Sequence, residues 1–287
     1  MAVIAPSYAV GGSRPSPCIW SRFQSLYTGV NSPPSGGAPE LGFIWHDDFL
    51  SFADTYAVAS NVGRYAGDMG GYRSYEDTGD SIAASPSYAG GVIEFLTDTT
   101  DNDEVWLQGG AATGVLGSVS NTAGAVGNVL TGFECRFRTA SVATGNLYVG
   151  MAEEGVAAAD FITDGGAMIT TKDLLGFYVL EGALTTLKFT SQKASQTAVT
   201  ITMTAALAAD TWYKAGFLFD PEAPTTKRLK VYLDAVENAT GLTGTQLDAA
   251  AFPGGEEMHA IMGVKNSTTT AKNLLVDWIR FGQRLLT

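Results

Sequence analysis

A chain of 287 residues that is 45% hydrophobic and 16% charged has enough apolar surface for one sizeable core, which excludes global disorder. Its 17 basic and 29 acidic side chains leave a net charge of -12, which excludes a surface built to track nucleic-acid phosphates. Cys18 and Cys135 are the only cysteines, so no disulfide framework is expected. With no membrane-length apolar run and no leader pattern, the expectation is a protein made in the cytoplasm that does not bind membranes.

Residues 1–40 hold Pro15, Pro17, Pro33, Pro34 and Pro39 among many Ser and Gly, a composition that denies regular ladders and favours an extended N-terminal arm. Arg14, Arg22 and Glu40 are its only charges, so the arm is slightly basic against an acidic body. Its middle, Cys18-Ile19-Trp20-Ser21-Arg22-Phe23-Gln24-Ser25-Leu26-Tyr27, is too apolar for a plain linker. That stretch is expected either to anchor on a partner or to pack on its own body as an extra strand.

Residues 41–287 are expected to form one all-β domain, an antiparallel two-sheet β-sandwich. From Phe43 onward, short period-2 segments recur between turn residues, as half-buried strands require. Ile93 and Phe95 alternate with Val92, Glu94 and Leu96, a strand expected to be buried on both sides at its end. Val105 and Leu107 follow the polar turn Asp101-Asn102-Asp103, and the two segments read as a hairpin. Phe133, Cys135 and Phe137 oppose Glu134, Arg136 and Arg138, so the apolar face must meet a second sheet. Meander-like stripes follow through Leu147–Met151, Leu175–Val179, Leu187–Phe189 and Val199–Met203. A second hairpin joins Tyr213–Phe219 to Leu229–Leu233 through Asp220-Pro221-Glu222-Ala223-Pro224, and a final strand runs through Leu274–Phe281. Residues 109–130 and 152–168 resist assignment, the second with room for one helical turn; long connections of this kind often carry function.

The chemistry is sparse. His46 and His259, the only histidines, lack metal-ligand spacing, and no nucleophile elbow, Cys–His pairing or Walker-type loop occurs. The acidic clusters Asp47-Asp48, Glu76-Asp77, Asp101-Asn102-Asp103-Glu104, Glu153-Glu154 and Glu256-Glu257 do not show the alternating carboxylate pair of a sandwich glycosidase. No catalytic residue and no cofactor is therefore expected. Asp101, Asn102 and Asp103 could offer oxygens to calcium, although the same residues initiate turns for conformational reasons. Trp106, Tyr178, Trp212 and Tyr232 are candidates for stacking on a sugar, with Trp106 and Trp212 foremost.

The block Asp210-Thr211-Trp212-Tyr213-Lys214-Ala215-Gly216-Phe217-Leu218-Phe219-Asp220, followed by Lys227–Asp234, resembles late strands of concanavalin-A-like and laminin-G-like jelly rolls. Leu274–Phe281 is similar to their closing strand and Trp45-His46-Asp47-Asp48-Phe49 to their opening one. With its Pro/Gly/Ser-rich arm and its Ala, Gly and Thr content, the chain resembles capsid decoration (cement) proteins of tailed bacteriophages. That resemblance implies a homotrimeric knob on the outside of a virion, its arm spread over the major capsid protein. On it, Arg14, Trp20, Arg22, Phe23, Leu26 and Tyr27 are the candidate capsid contacts. The alternative is a lectin-like carbohydrate-binding module or a fibre-type receptor-binding protein of the same fold.

Overall fold

The computed structural model describes residues 15–23, 42–49, 53–54, 64–67, 70–88, 91–109, 117–118, 129–142, 145–183 and 185–285. Among them, strands numbered β1 to β18 in chain order form two antiparallel sheets. Arg14, Leu26 and Tyr27 lie outside the described residues, as does most of the 109–130 connection.

The back sheet runs in the order β16 (Val236–Glu237), β15 (Leu229–Leu233), β14 (Tyr213–Phe219), β9 (Val129–Arg138), β18 (Asn273–Leu285), β6 (Ile93–Leu96) and β5 (Ser81–Ala84). β1 (Gly42–Asp47) pairs with the far half of β18. The front sheet runs β13 (Val199–Ala206), β12 (Thr186–Gln192), β11 (Leu174–Val179), β10 (Asn146–Ala152), β17 (Glu257–Lys265), β7 (Glu104–Gly109), β4 (Gly70–Glu76), β3 (Arg64–Gly67) and β2 (Ala53–Asp54). The short β8 (Gly117–Ser118) pairs with β17.

The alternation read in the sequence becomes the core. Phe133, Phe137 and Phe217 point inward from the back sheet, Phe177 and Phe189 from the front. Phe133 stacks on Phe217 with ring centroids 5.5 Å apart, and Phe189 meets Phe217 edge-on at 5.7 Å, so aromatic contacts join the two layers. The meander β10–β11–β12–β13 and the hairpin β14–β15 form as the periodicity predicts.

Three expectations need correction. The segments around Ile93 and Val105 are not a hairpin: β6 pairs with β5 and β18 in the back sheet, whereas β7 pairs with β4 and β17 in the front one. Period-2 alternation reports which side chains are buried, not which sheet a strand joins. Leu96 at the end of β6 is 41% exposed rather than buried. The described part of the arm's apolar stretch, through Phe23, is neither extended nor a strand, because Pro17–Trp20 forms one helical turn that continues as a 3-10 turn through Phe23.

Candidate functional site

Two irregular segments cover the outer faces of the sheets, and both rest on glycines in the middle of strands. On the front sheet, Tyr148, Trp106 and Ile261 point outward and the connection 153–170 folds over them, burying Val156, Ala157, Phe161 and Ile162. Phe161 meets Trp106 at 4.8 Å and Tyr148 at 5.1 Å, both edge-on. The large rings lie flat because Gly150, Gly176 and Gly263 leave the space: a Cβ on Gly176 would sit 2.6 Å from the Tyr148 hydroxyl, and one on Gly263 2.4 Å from the Trp106 ring. The connection contains no helical turn and closes through an Ile162–Met168 bridge.

A buried polar cluster pins this lid. Glu104 Oε2 accepts from the Trp106 indole N–H at 2.8 Å, and its Oε1 accepts from the Asp160 backbone N–H. Burial pushes the Glu104 carboxyl up to about 7 despite these donors. Lys265 is buried beside it, its ammonium 2.7 Å from Asp164 and 3.9 Å from Glu104. Burial is the largest single influence on the Lys265 pKa and lowers it, but the bond to Asp164 and the charges of Glu104, Asp164 and Asp160 together outweigh it and leave the pKa raised. Gln108 clasps the lid's first turn, donating to Glu153 O at 2.8 Å and accepting from Gly155 N at 3.1 Å. Glu104 has the raised pKa and the neighbouring indole of an acid catalyst, yet both its oxygens are committed beneath the lid.

Beside the lid the front sheet stays open as a groove of about 700 Å³. Tyr178, Thr190 and Gln192 floor it, and Met168, Thr170 and Gln196 wall it. The Gln192 amide donates to Ile169 O at 2.7 Å and Lys172 O at 3.1 Å, so it anchors the lid's edge. None of the groove's lining residues is charged.

On the back sheet, residues 15–23 form a clip. Ile19, Trp20 and Phe23 are buried against Leu130, Leu218 and Tyr232. They fit because Gly132, Gly216 and Gly282 lack side chains: a Cβ on Gly132 would lie 2.9 Å from Phe23, and one on Gly216 2.7 Å from Ile19. The buried carboxylate of Glu134 accepts from Ser16 N at 2.9 Å and from the Trp20 indole at 2.8 Å. Arg280 lies 5.1 Å over the Trp20 ring, and Arg22 pairs with Asp220 at 2.8 Å.

These placements correct several candidates. Trp106 is wholly buried beneath Phe161 and has no face for a sugar. Trp20 and Phe23 are consumed by their own back sheet, so neither is a free capsid anchor, and Arg22 is ion-paired within the chain. Tyr178 and Tyr232 are also buried. Trp212 is half-buried, with the Arg136 guanidinium 4.3 Å over its ring and Tyr88 edge-on at 5.7 Å. His46 accepts from Arg280 at 3.3 Å, and burial lowers the pKa of His259. The sequence reading missed the six strand-centre glycines. Their signal was present, since glycine inside a strand pattern marks a close approach.

A third feature is a corner of carboxylates. Asp80, Asp98 and Asp103 each bring an oxygen within 4.8 Å of the other two. Burial, with the neighbouring carboxylates adding to it, pushes Asp80 up to about 7 and Asp103 to about 6. Of the expected calcium group Asp101, Asn102 and Asp103, only Asp103 joins this cluster; Asn102 takes a left-handed turn conformation at φ 68°.

No protein-family model matches the sequence, and no curated protein does. Among solved structures, an endo-β-1,4-glucuronan lyase from the fungus Trichoderma reesei is similar at 10% identity with TM-score 0.50, covering 83% of this chain and 94% of its own. A Shewanella oneidensis protein of unknown function aligns over 96% of both chains at 18% identity and TM-score 0.47. The carbohydrate recognition domain of Emp47p aligns over 83% of this chain and 94% of its own at 14% identity and TM-score 0.47. At these identities the likeness speaks for the fold alone. The chain is a two-sheet antiparallel β-sandwich of the concanavalin-like jelly-roll class.

Proposed function

We propose that this protein is a non-catalytic structural component of a virion, a capsid decoration protein whose sandwich is a rigid knob and whose N-terminal arm bridges major capsid protein subunits. The observation that carries this reading is that both sheets are covered at their centres by the chain's own segments, the front by 153–170 and the back by 15–23. Among the described residues, the covered centre of the front face offers no reactive carboxylate pair. The clip also fixes the middle of the arm at one point on the back sheet, above Glu134. With Trp20, Arg22 and Phe23 occupied in the clip, the shell contacts fall to the rest of residues 1–40, Arg14, Leu26 and Tyr27 included. The test is co-sedimentation with capsid shells of the virus that carries its gene, using the full chain and a version lacking residues 1–14. Retention of the full chain and loss of the truncated one supports the reading; equal failure of both sinks it. Light scattering checks the homotrimer that goes with it.

One observation favours a second reading, a lectin-like module. The uncharged groove beside the lid, about 700 Å³ in volume with hydroxyl and amide groups beside Tyr178 and Met168, has the mixed lining that a neutral glycan needs. Retention on a glycan array that is lost on Thr170→Trp, a substitution that fills the groove, would favour it over shell attachment.

A further inference from the structure

The acidic corner is formed by three connections: the turn between β4 and β5 carrying Asp80, the link between β6 and β7 carrying Asp98 and Asp103, and the link between β17 and β18 that begins at Asn266. Among the described residues, no lysine or arginine forms an ion pair with any of the three aspartates. Three carboxylates held this close without a basic partner repel one another until a proton or a cation joins them.

A second, independent feature lies at the same corner. Asn266 is wholly buried. Its amide donates to Asp98 O at 3.2 Å and Thr100 O at 2.6 Å, and its backbone N–H donates to Asp103 O at 2.9 Å. The same residue therefore locks the backbone that carries two of the carboxylates, while its own Oδ1 has no hydrogen-bond partner. Asp80 repeats the pattern: Oδ1 accepts from Asp98 N at 2.8 Å, and Oδ2 is sealed from water without a partner. Buried oxygens left unsatisfied are uncommon and point to an absent ion or water. Gly79 completes the fit, because at φ 103° a Cβ would lie 2.5 Å from Asp98 Oδ2.

We propose that Asp80, Asp98 and Asp103 form a calcium site that ties these three connections together. The ion takes the orphaned Asp80 oxygen directly, and a water in its shell donates to Asn266 Oδ1. Hard oxygen donors exclude thiophilic metals. Carboxylates gathered from separate loops suit calcium, which takes six to eight oxygens in a flexible shell, better than magnesium, which demands a strict octahedron and keeps most of its waters.

The experiment is calorimetric titration of the EDTA-stripped full chain with calcium chloride, with thermal melts in calcium, magnesium or neither. The expected result is one calcium per chain, a dissociation constant of roughly 10⁻⁵–10⁻³ M, and a higher Tm in calcium than in magnesium. Asp103→Asn is expected to weaken binding at least about tenfold, since ligand charge count sets affinity. Its calcium-free melt should equal or exceed that of the wild type, because one repelling charge has gone. That pairing separates ligand loss from misfolding. The proposal is overturned by a folded wild type that shows no heat and no Tm change in millimolar calcium, by an equal response to magnesium, or by an Asp103→Asn variant that keeps the full response.

Discussion

The two sheets solve one problem by different means. Each presents an apolar outer face that the chain must cover, and each makes room with three glycines. On the front, the glycines sit against fixed groups: a Cβ on Gly263 would lie 2.1 Å from Val105 O, and one on Gly150 2.5 Å from the Gly176 Cα. On the back, Gly132 and Gly282 meet side chains, mainly those of the clip, and only Gly216 meets backbone, a Cβ there lying 2.6 Å from Phe133 O. The front lid is thus continuous with the sheet's own rings, whereas the back clip is a short segment seated in a notch. A disturbance should therefore spread through the whole sandwich in front, and mainly into the clip behind.

The sharpest way to break that contrast is Gly263→Ala against Gly132→Ala. The first is expected to cost more than about 3 kcal/mol, because backbone cannot yield a full ångström. The second should cost about 1–2 kcal/mol and loosen the clip alone, because the rings of Phe23 and Ile19 can shift. Denaturant unfolding measures both. Equal losses would mean that the clip and the sandwich form one unit.

Comparable to the Gly263→Ala loss are Phe161→Ala and Trp20→Ala, each expected to cost roughly 3–5 kcal/mol where the segment unfolds together with the sandwich. Their signatures differ. Trp20→Ala also removes a donor from the buried Glu134 carboxylate, so the clip should open and Cys18 should react with thiol reagents while buried Cys135 stays protected. Phe161→Ala should uncover Trp106 and shift its fluorescence to the red, with Cys18 unchanged. A reactive Cys18 in both variants would couple the two faces through the core.

Much of this molecule was legible before its structure. Period-2 stripes such as Phe133, Cys135 and Phe137 gave the inner faces, because burial against a second sheet selects that alternation. What covers the outer faces was not legible. Trp106 alternates with core-facing Val105 and Leu107, so the sequence places it outside the sandwich; only a lid drawn from 50 residues away buries it. The clip was half-legible, since Ile19, Trp20 and Phe23 announced an anchor but not its partner. The acidic corner was legible in one residue of three, because Asp80 and Asp98 meet Asp103 only after β6 and β7 part into different sheets.

A pH titration sharpens the front half of the comparison. Burial raises Glu104 from 4.5 to about 7, so the native state binds an extra proton between those values. Its contribution to stability is full below about pH 4.5 and is lost as pH rises through 7, with a slope of at most about 1.4 kcal/mol per pH unit. In calcium-free buffer, Glu104→Gln should shrink this slope without abolishing it, because Asp80, also raised to about 7, adds a slope of the same sign. An unchanged slope would place the titration outside the lid.

The smallest expected effect is Arg22→Ala, and it tests what holds the clip. Arg22 meets Asp220 at 2.8 Å, but its side chain is 43% exposed, so water and salt screen the pair. Its removal should cost no more than about 0.5–1 kcal/mol and leave Cys18 as protected as before. Ile19, Trp20 and Phe23 sit in a dry notch where every displaced methylene costs about 0.8 kcal/mol, and no exposed ion pair matches that. A larger loss, or a reactive Cys18, would transfer the clip's stability from the glycine notch to its rim, and the back sheet would then hold its cover by charge rather than by shape.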